Sequence, residues 1–237
     1  MRMRRRRRAG SLALGTVAAV AMAAAGPASA GAVTLRTGDI IAADSGAFGG
    51  GGGVILVDPT TGAQTTVASG GLFVDPHGVT VAPDGTLLVV DFGGLGGTGR
   101  IIRVDPGTGA QTTVATGGLL VDPFCVVVEA DGDLLVTDAN AGGGRGALIR
   151  ISAATGTQSI VTAGWLFVDP VGIAMEADGN VVIADPAAGG GSGAIIRVDP
   201  RPGRSRRSPP PGSSTSRSAW PSRTTATWSS RTRSPPG

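Results

Sequence analysis

This 237-residue chain has no lysine, one cysteine and one histidine. With Cys125 alone, no internal disulfide can form, and a cysteine cluster for a structural metal is excluded. With His77 alone, metal sites built on several imidazoles are excluded as well. Cys125 stands where glycine stands in sister stretches of the chain (Gly78, Gly172), and no base is evident beside it, so it reads as an inert small residue at a tight strand entrance. Negative charge is missing from both ends. Six arginines lie within residues 2–8 and eight more follow Pro200, whereas all 17 acidic residues fall between Asp39 and Asp199, where only six arginines oppose them. The formal charge of +3 and the pI near 10.7 therefore average three unlike segments. The middle segment is strongly acidic and would repel phosphate backbones, so nucleic acid is not an expected partner.

Residues 1–30 have the parts of a secretory signal. A charged MRMRRRRR precedes an apolar run from about Ser11 to Ala25, and Ala28-Ser29-Ala30 supplies small residues for cleavage. The mature chain is then expected to begin at Gly31 and to be secreted, touching a membrane only through its leader during export. The alternative, an uncleaved anchor, fits less well, because the run is short of the roughly 20 residues that span a bilayer.

The rest is organised by repetition. DPHGVTVAPDGTLLVVD (Asp75 to Asp91) returns as DPFCVVVEADGDLLVTD from Asp122 and as DPVGIAMEADGNVVIAD from Asp169. Asp44, Asp91, Asp138 and Asp185 stand 47 residues apart, as do Asp84, Asp131 and Asp178. Within a unit, short apolar runs are cut by turn residues, and none has helical length or spacing. Four strands per unit are expected: Gly78–Ala82, Thr86–Val90, Arg100–Val104 and Ala110–Ala115. The second is apolar on both faces, as in a covered sheet, and the fourth is half polar, as at an outer edge. Four strands in a period of 40 to 50 residues, graded from buried to wettable, describe a β-propeller blade better than a β-solenoid coil.

The pattern P-x-G-V-x-V-x-x-D-G-x-L-x-V-x-D, seen over Pro76–Asp91 and Pro170–Asp185, resembles the NHL-repeat group and the related six-bladed propellers of the gluconolactonase and streptogramin-lyase type. The resemblance covers about 170 residues, Gly31 to Pro200, and implies an all-β propeller. It departs from NHL units in its glycine-rich loops GGLGGTG, AGGGRG and AGGGSG, so the RNA- and protein-binding roles of some NHL propellers are not carried over. Extended backwards, the register makes GAVTLRTGDIIAAD an edited first and second strand. Blade units then begin near residues 31, 78, 125 and 172, about three and a half blades in frame, which is an incomplete propeller.

After Pro200 the composition becomes basic and rich in Ser, Pro and Arg. Such a tail reads as disorder by composition. A one-base shift with G or C at third codon positions gives another reading. Trp220 to Thr232 then spell Ala-Val-Glu-Asp-Asp-Gly-Asp-Leu-Val-Val-Ala-Asp, close to AMEADGNVVIAD of Ala174–Asp185 and in the 47-residue register. Residues 201–237 are thus expected to be out-of-frame translation of further blades, and the product to be truncated.

Candidate chemistry rests on aspartates. Asp44, Asp91, Asp138 and Asp185 end the second strand of each unit, and Asp75, Asp122 and Asp169 precede the first. In a propeller these loops emerge on one face, so seven carboxylates are expected to rim one mouth. They serve either as acceptors for loop N–H groups or as a hard-cation site on Asp44, Asp91, Asp138 and Asp185, for which an oxygen-only donor set favours Ca²⁺. The resemblance adds two enzymatic options, a central metal of gluconolactonase type and histidine chemistry of streptogramin-lyase type. Near-identical blades argue against the first, and His77, read as a solvated loop residue without a partner, against the second. Trp165, replacing Gly71 and Gly118, is expected to pack rather than bind. The leading expectation is a secreted scaffold that binds a protein, carbohydrate or small molecule; the alternative is a metal-dependent hydrolase or lyase.

Overall fold

Tight turns and apolar alternation produce four antiparallel sheets in series. The computed structural model describes residues 33–93 and 98–201. The expected leader with its cleavage site, residues 94–97 and the 202–237 tail lie outside the described residues. The first sheet comprises β1 (Ile40–Asp44), β2 (Gly53–Val57) and β3 (Gln64–Ser69). The second has four strands, β4 (Pro76–Val81), β5 (Leu87–Asp91), β6 (Arg100–Val104) and β7 (Gln111–Thr116). The third repeats it as β8 (Pro123–Val128), β9 (Leu134–Asp138), β10 (Ala147–Ile151) and β11 (Gln158–Ala163). The fourth contains β12 (Gly172–Met175), β13 (Val181–Asp185) and β14 (Ala194–Val198). Strands pair in chain order, as in propeller blades, and among the described residues no sheet closes on itself.

The expected first strand of the first unit is not formed over residues 33–39. Its turn survives, with Arg36 N–H donating to Asp39 Oδ2 at 2.7 Å, but the arm before it leaves the sheet. Val33 N–H donates instead to Pro106 O in the β6–β7 turn at 3.0 Å, and its side chain is buried in the core between the first two blades. The glycine-rich loops also differ from expectation. Ala47–Gly50, Ala141–Gly144 and Ala188–Gly191 each wind into a single helical turn, interrupted by left-handed backbone.

The middle strands explain why the blades stack. Side chains alternate across a strand, and here both faces meet protein. On β5, Leu87 and Val89 enter the core shared with the first blade, while Leu88 and Val90 enter the core shared with the third. On β9, Leu134 and Val136 face the second blade and Leu135 faces the fourth. Leu87, Leu88, Val89, Val90, Leu135 and Val136 are all at most 1% exposed. Each blade thus lends one face to each neighbour.

The links between blades are wedged and clamped. Phe73, Leu120 and Phe167, one per link, are buried at 4%, 1% and 5% exposure. Gln111, at the head of β7, accepts from Leu72 N–H at 2.7 Å and donates to Gly70 O at 3.1 Å. Gln158, at the head of β11, likewise accepts from Leu119 N–H at 2.7 Å. Both glutamines abut the glycine at the next link position, Gly71 or Gly118. Trp165 takes that place in the third link with φ +57° and is 76% exposed, so it does not pack as expected. The residue 47 after Gln158 lies in the tail, outside the described residues.

Candidate functional site

Three of the aspartates that end the second strands are buried under the mouth rather than placed on its rim. Asp91, Asp138 and Asp185 are at most 1% exposed. Asp138 Oδ2 accepts from Val121 and Asp122 N–H at 2.8 and 3.0 Å, and its Oδ1 accepts from Asn140 and Ala141 N–H at 3.0 and 2.7 Å. Asp185 repeats the arrangement with Val168, Asp169, Ala187 and Ala188. These two carboxylates therefore tie an incoming link to an outgoing loop within their own blade. Asp91 holds the incoming link through Val74 and Asp75 N–H at 2.8 and 3.1 Å, with Arg100 Nε 3.9 Å from its Oδ1. Asp44 is exposed and accepts from Gly46 and Ala47 N–H of the outgoing loop. Among the described residues no group of three or more His, Cys, Asp or Glu side chains is placed to hold a metal ion, so Asp44, Asp91, Asp138 and Asp185 are not brought together as one ligand set.

The mouth itself is lined by the residues just before and just inside the first strands. His77 lies in β4 rather than in a loop, and it has partners. Its Nε2 is 3.2 Å from Asp75 Oδ1, with both side chains about one-third exposed. Its ring meets Phe124 of the third blade edge-on at 5.3 Å and Phe92 at 6.2 Å. Asp75 and His77 flank Pro76 at the irregular entrance of β4, where the pairing with β5 shifts register between Pro76 and Val79. Phe92 follows Asp91 into the β5–β6 loop, and Phe124 is the repeat equivalent of His77. The interleaving of a histidine and two phenylalanines across a blade boundary is not legible from any one unit.

Beside this cluster, Asp122 is a crowded carboxylate. Asn140 Nδ2 donates to its Oδ2 at 2.8 Å, while its Oδ1 is shielded from solvent with no hydrogen-bond donor among the described residues. Burial, followed by the nearby charge of Asp138, pushes its pKa above the usual carboxylate value; Asn140 and His77 partly offset this, and Asp169 adds to it. Thr137, fully buried where the sister blades have Val90 and Ala184, donates to Val171 O at 2.9 Å and so joins the third blade to the fourth under the same mouth. Cys125 is partly buried with no disulfide partner. A side chain at Gly78 would collide with the backbone of Phe124 and with Cys125 Cα at 2.9 Å, which accounts for the glycine at this strand entrance; at the equivalent Gly172 a methyl would meet only Ala184 at 3.4 Å.

No family model matches the chain, and no curated protein matches it. Solved structures do. The nidogen/laminin complex includes a chain 20% identical to this one, with 65% of this chain and 56% of that chain covered at a TM-score of 0.52. A calcium-binding protein, regucalcin, from Agrobacterium tumefaciens is 20% identical over 72% of this chain and 55% of that one, at a TM-score of 0.48. A virginiamycin B lyase from Staphylococcus aureus is 20% identical over 63% of this chain and 49% of that one, at a TM-score of 0.42. The chain spans about half the length of these solved proteins, and likeness at this identity bears on fold alone. With its 47-residue units, consecutive antiparallel blades and cores shared between neighbours, the chain has an all-β fold of β-propeller type, incomplete over the described residues.

Proposed function

We propose that this chain is a secreted binding propeller whose ligand meets the mouth at His77. The observation that carries the reading is where the blades differ. Packing positions repeat closely, whereas mouth positions do not: His77, Phe124 and Val171 are repeat equivalents, as are Phe92, Ala139 and Pro186. A scaffold held constant beneath a varied rim is what selective recognition requires. Partly exposed carboxylates of Asp75 and Asp122, with aromatic edges between them, suit a small ligand that carries positive charge and an apolar face. Because His77 is the sole histidine, its ring protons give an NMR signal that reports the mouth directly. Titration with glucosamine and other small amines should move that signal, and neutral sugars should move it less. A signal unmoved by every amine rejects the reading.

A second reading rests on the Asp75–His77 pair. A carboxylate that orients an imidazole is the arrangement a general base needs, which keeps a hydrolase or lyase in view. Turnover of a bound ligand, lost in both His77→Ala and Asp75→Asn, separates this reading from simple binding. The tail from about residue 201 we read as out-of-frame translation of further blades, which would complete the mouth. Resequencing the DNA around Arg201 tests it: an unbroken frame with no repeat in the shifted frame downstream refutes it.

A further inference from the structure

The three blade junctions are built from the same pair of surfaces. Towards the preceding blade a blade presents Leu87, Leu134 or Val181, which are 0%, 3% and 0% exposed. Towards the following blade it presents Val54, Ile101 or Leu148, each fully buried. At the two ends of the series, the same repeat positions are open. Ile40, equivalent to Leu87, is 50% exposed, and Ile195, equivalent to Ile101 and Leu148, is 74% exposed. Each end also carries a shallow concavity. The one at the first blade, about 390 Å³, is lined by Ala42, Ile55 and Val57 and reaches Asp44, Pro76 and His77 at the mouth, and that of the fourth, about 470 Å³, is lined by Ala184, Asp185 and Ile195 among others.

We propose that a second copy of this chain docks head to tail, its first blade against the fourth blade of its partner. Surfaces built on the same repeat positions already mate three times within one chain, so the second and third strands at each end carry counterparts of one another, although among the described residues the first blade lacks its first strand and the fourth its outer one. Ile40, Ile55 and Val57 would meet Ile195 and Ala184, an aliphatic contact with the exposed Asp44 carboxylate at its edge. The joint is heterologous, and two copies bring eight blades, the upper end of the range over which propellers close.

Sedimentation velocity of the full chain across the micromolar range tests this. The expected mass rises with concentration from the 23.2 kDa of one chain to at least twice that value. Ile40→Glu and Ile195→Arg should each remain at the monomer mass with unchanged circular dichroism, since both side chains are already exposed. Mixing the two variants should restore association, because of the two joints possible between unlike copies one keeps two unaltered faces and the other brings opposite charges together. A wild-type chain that stays monomeric overturns the proposal; that result is expected if the tail of the same chain covers the fourth blade. Continued association by either variant alone also overturns it, since it would mean contact between like faces. Failure of the mixture to associate does the same, and the wild-type mass decides the matter should a variant not fold.

Discussion

Gln111 closes on the backbone of Leu72 from the outermost strand of the next blade, taking its N–H at 2.7 Å while donating to Gly70 O at 3.1 Å. One amide side chain so satisfies both a donor and an acceptor of a link that has no sheet partner. Truncation to Gln111→Ala leaves both unpaired in a half-buried setting and should cost about 1–2 kcal/mol. The melting temperature should fall by about 3–6 °C, measurable by calorimetry. Gln111→Glu keeps the acceptor for Leu72 but sets a carboxylate oxygen against Gly70 O, and should recover little.

The aspartates at the strand ends should differ in weight according to how many N–H groups each holds. Asp138→Ala strands four, from Val121, Asp122, Asn140 and Ala141, beneath a buried surface, and should cost about 3–4 kcal/mol in urea unfolding. Asp138→Asn should recover little, because its amide would point donors at donors. Asp44→Ala loses only the bonds to Gly46 and Ala47 at an exposed site and should cost less than about 1 kcal/mol.

Asp122 should behave in the opposite sense. Its pKa is raised in the folded protein, so its contribution is most favourable at low pH and is lost as pH rises through the folded value. Asp122→Asn removes a crowded charge while leaving an oxygen for Asn140, and should raise the melting temperature at neutral pH by up to about 2 °C. The gain should vanish below about pH 4, where the carboxyl is protonated in folded and unfolded chains alike. Asp58, Asp84 and Asp178 are shifted the other way, chiefly by hydrogen bonds that Thr60, Thr86 and Asn180 donate to them, and the stability they add is lost as pH falls through their lowered values.

Two glycines in one loop separate backbone strain from collision. Gly143 has φ +82° with open space where a methyl would stand, so Gly143→Ala should cost about 1–2 kcal/mol from conformation alone. Gly146, at φ +68°, would in addition drive a methyl into the ring of Pro170, with Cγ at 3.0 Å. Gly146→Ala should therefore cost roughly 1–3 kcal/mol more, by comparison of denaturant midpoints.

The blades are legible in the sequence because their signals are local. Asp-Gly turns, double-faced aliphatic strands and a half-polar outer strand recur every 47 residues, and the strands of the second blade begin and end within two residues of expectation. The departures come from contacts outside a unit. Val33 follows a carbonyl of the next blade rather than its own sheet, and no feature of GAVTLRTG announces that. His77 reads as solitary although Asp75 stands two residues away, and its ring partner Phe124 is its own repeat equivalent, brought to 5.3 Å only by stacking of blades. The repeat pattern misjudges the depth of Asp91, Asp138 and Asp185, since alternation reports the direction of a side chain and says nothing of what covers it.

The sharing of β5 and β9 between two cores has a consequence for the order in which the molecule opens. Each blade is held by its neighbours, so the free energy needed to expose an amide depends on how many junctions must part first, as in a linear array with nearest-neighbour coupling. In the single chain, amides of β1 to β3 and β12 to β14 fray by breaking one junction, whereas those of β5 and β9 wait for two. Hydrogen exchange should accordingly be slowest at Leu88, Val89, Leu135 and Val136 and should quicken blade by blade towards either end.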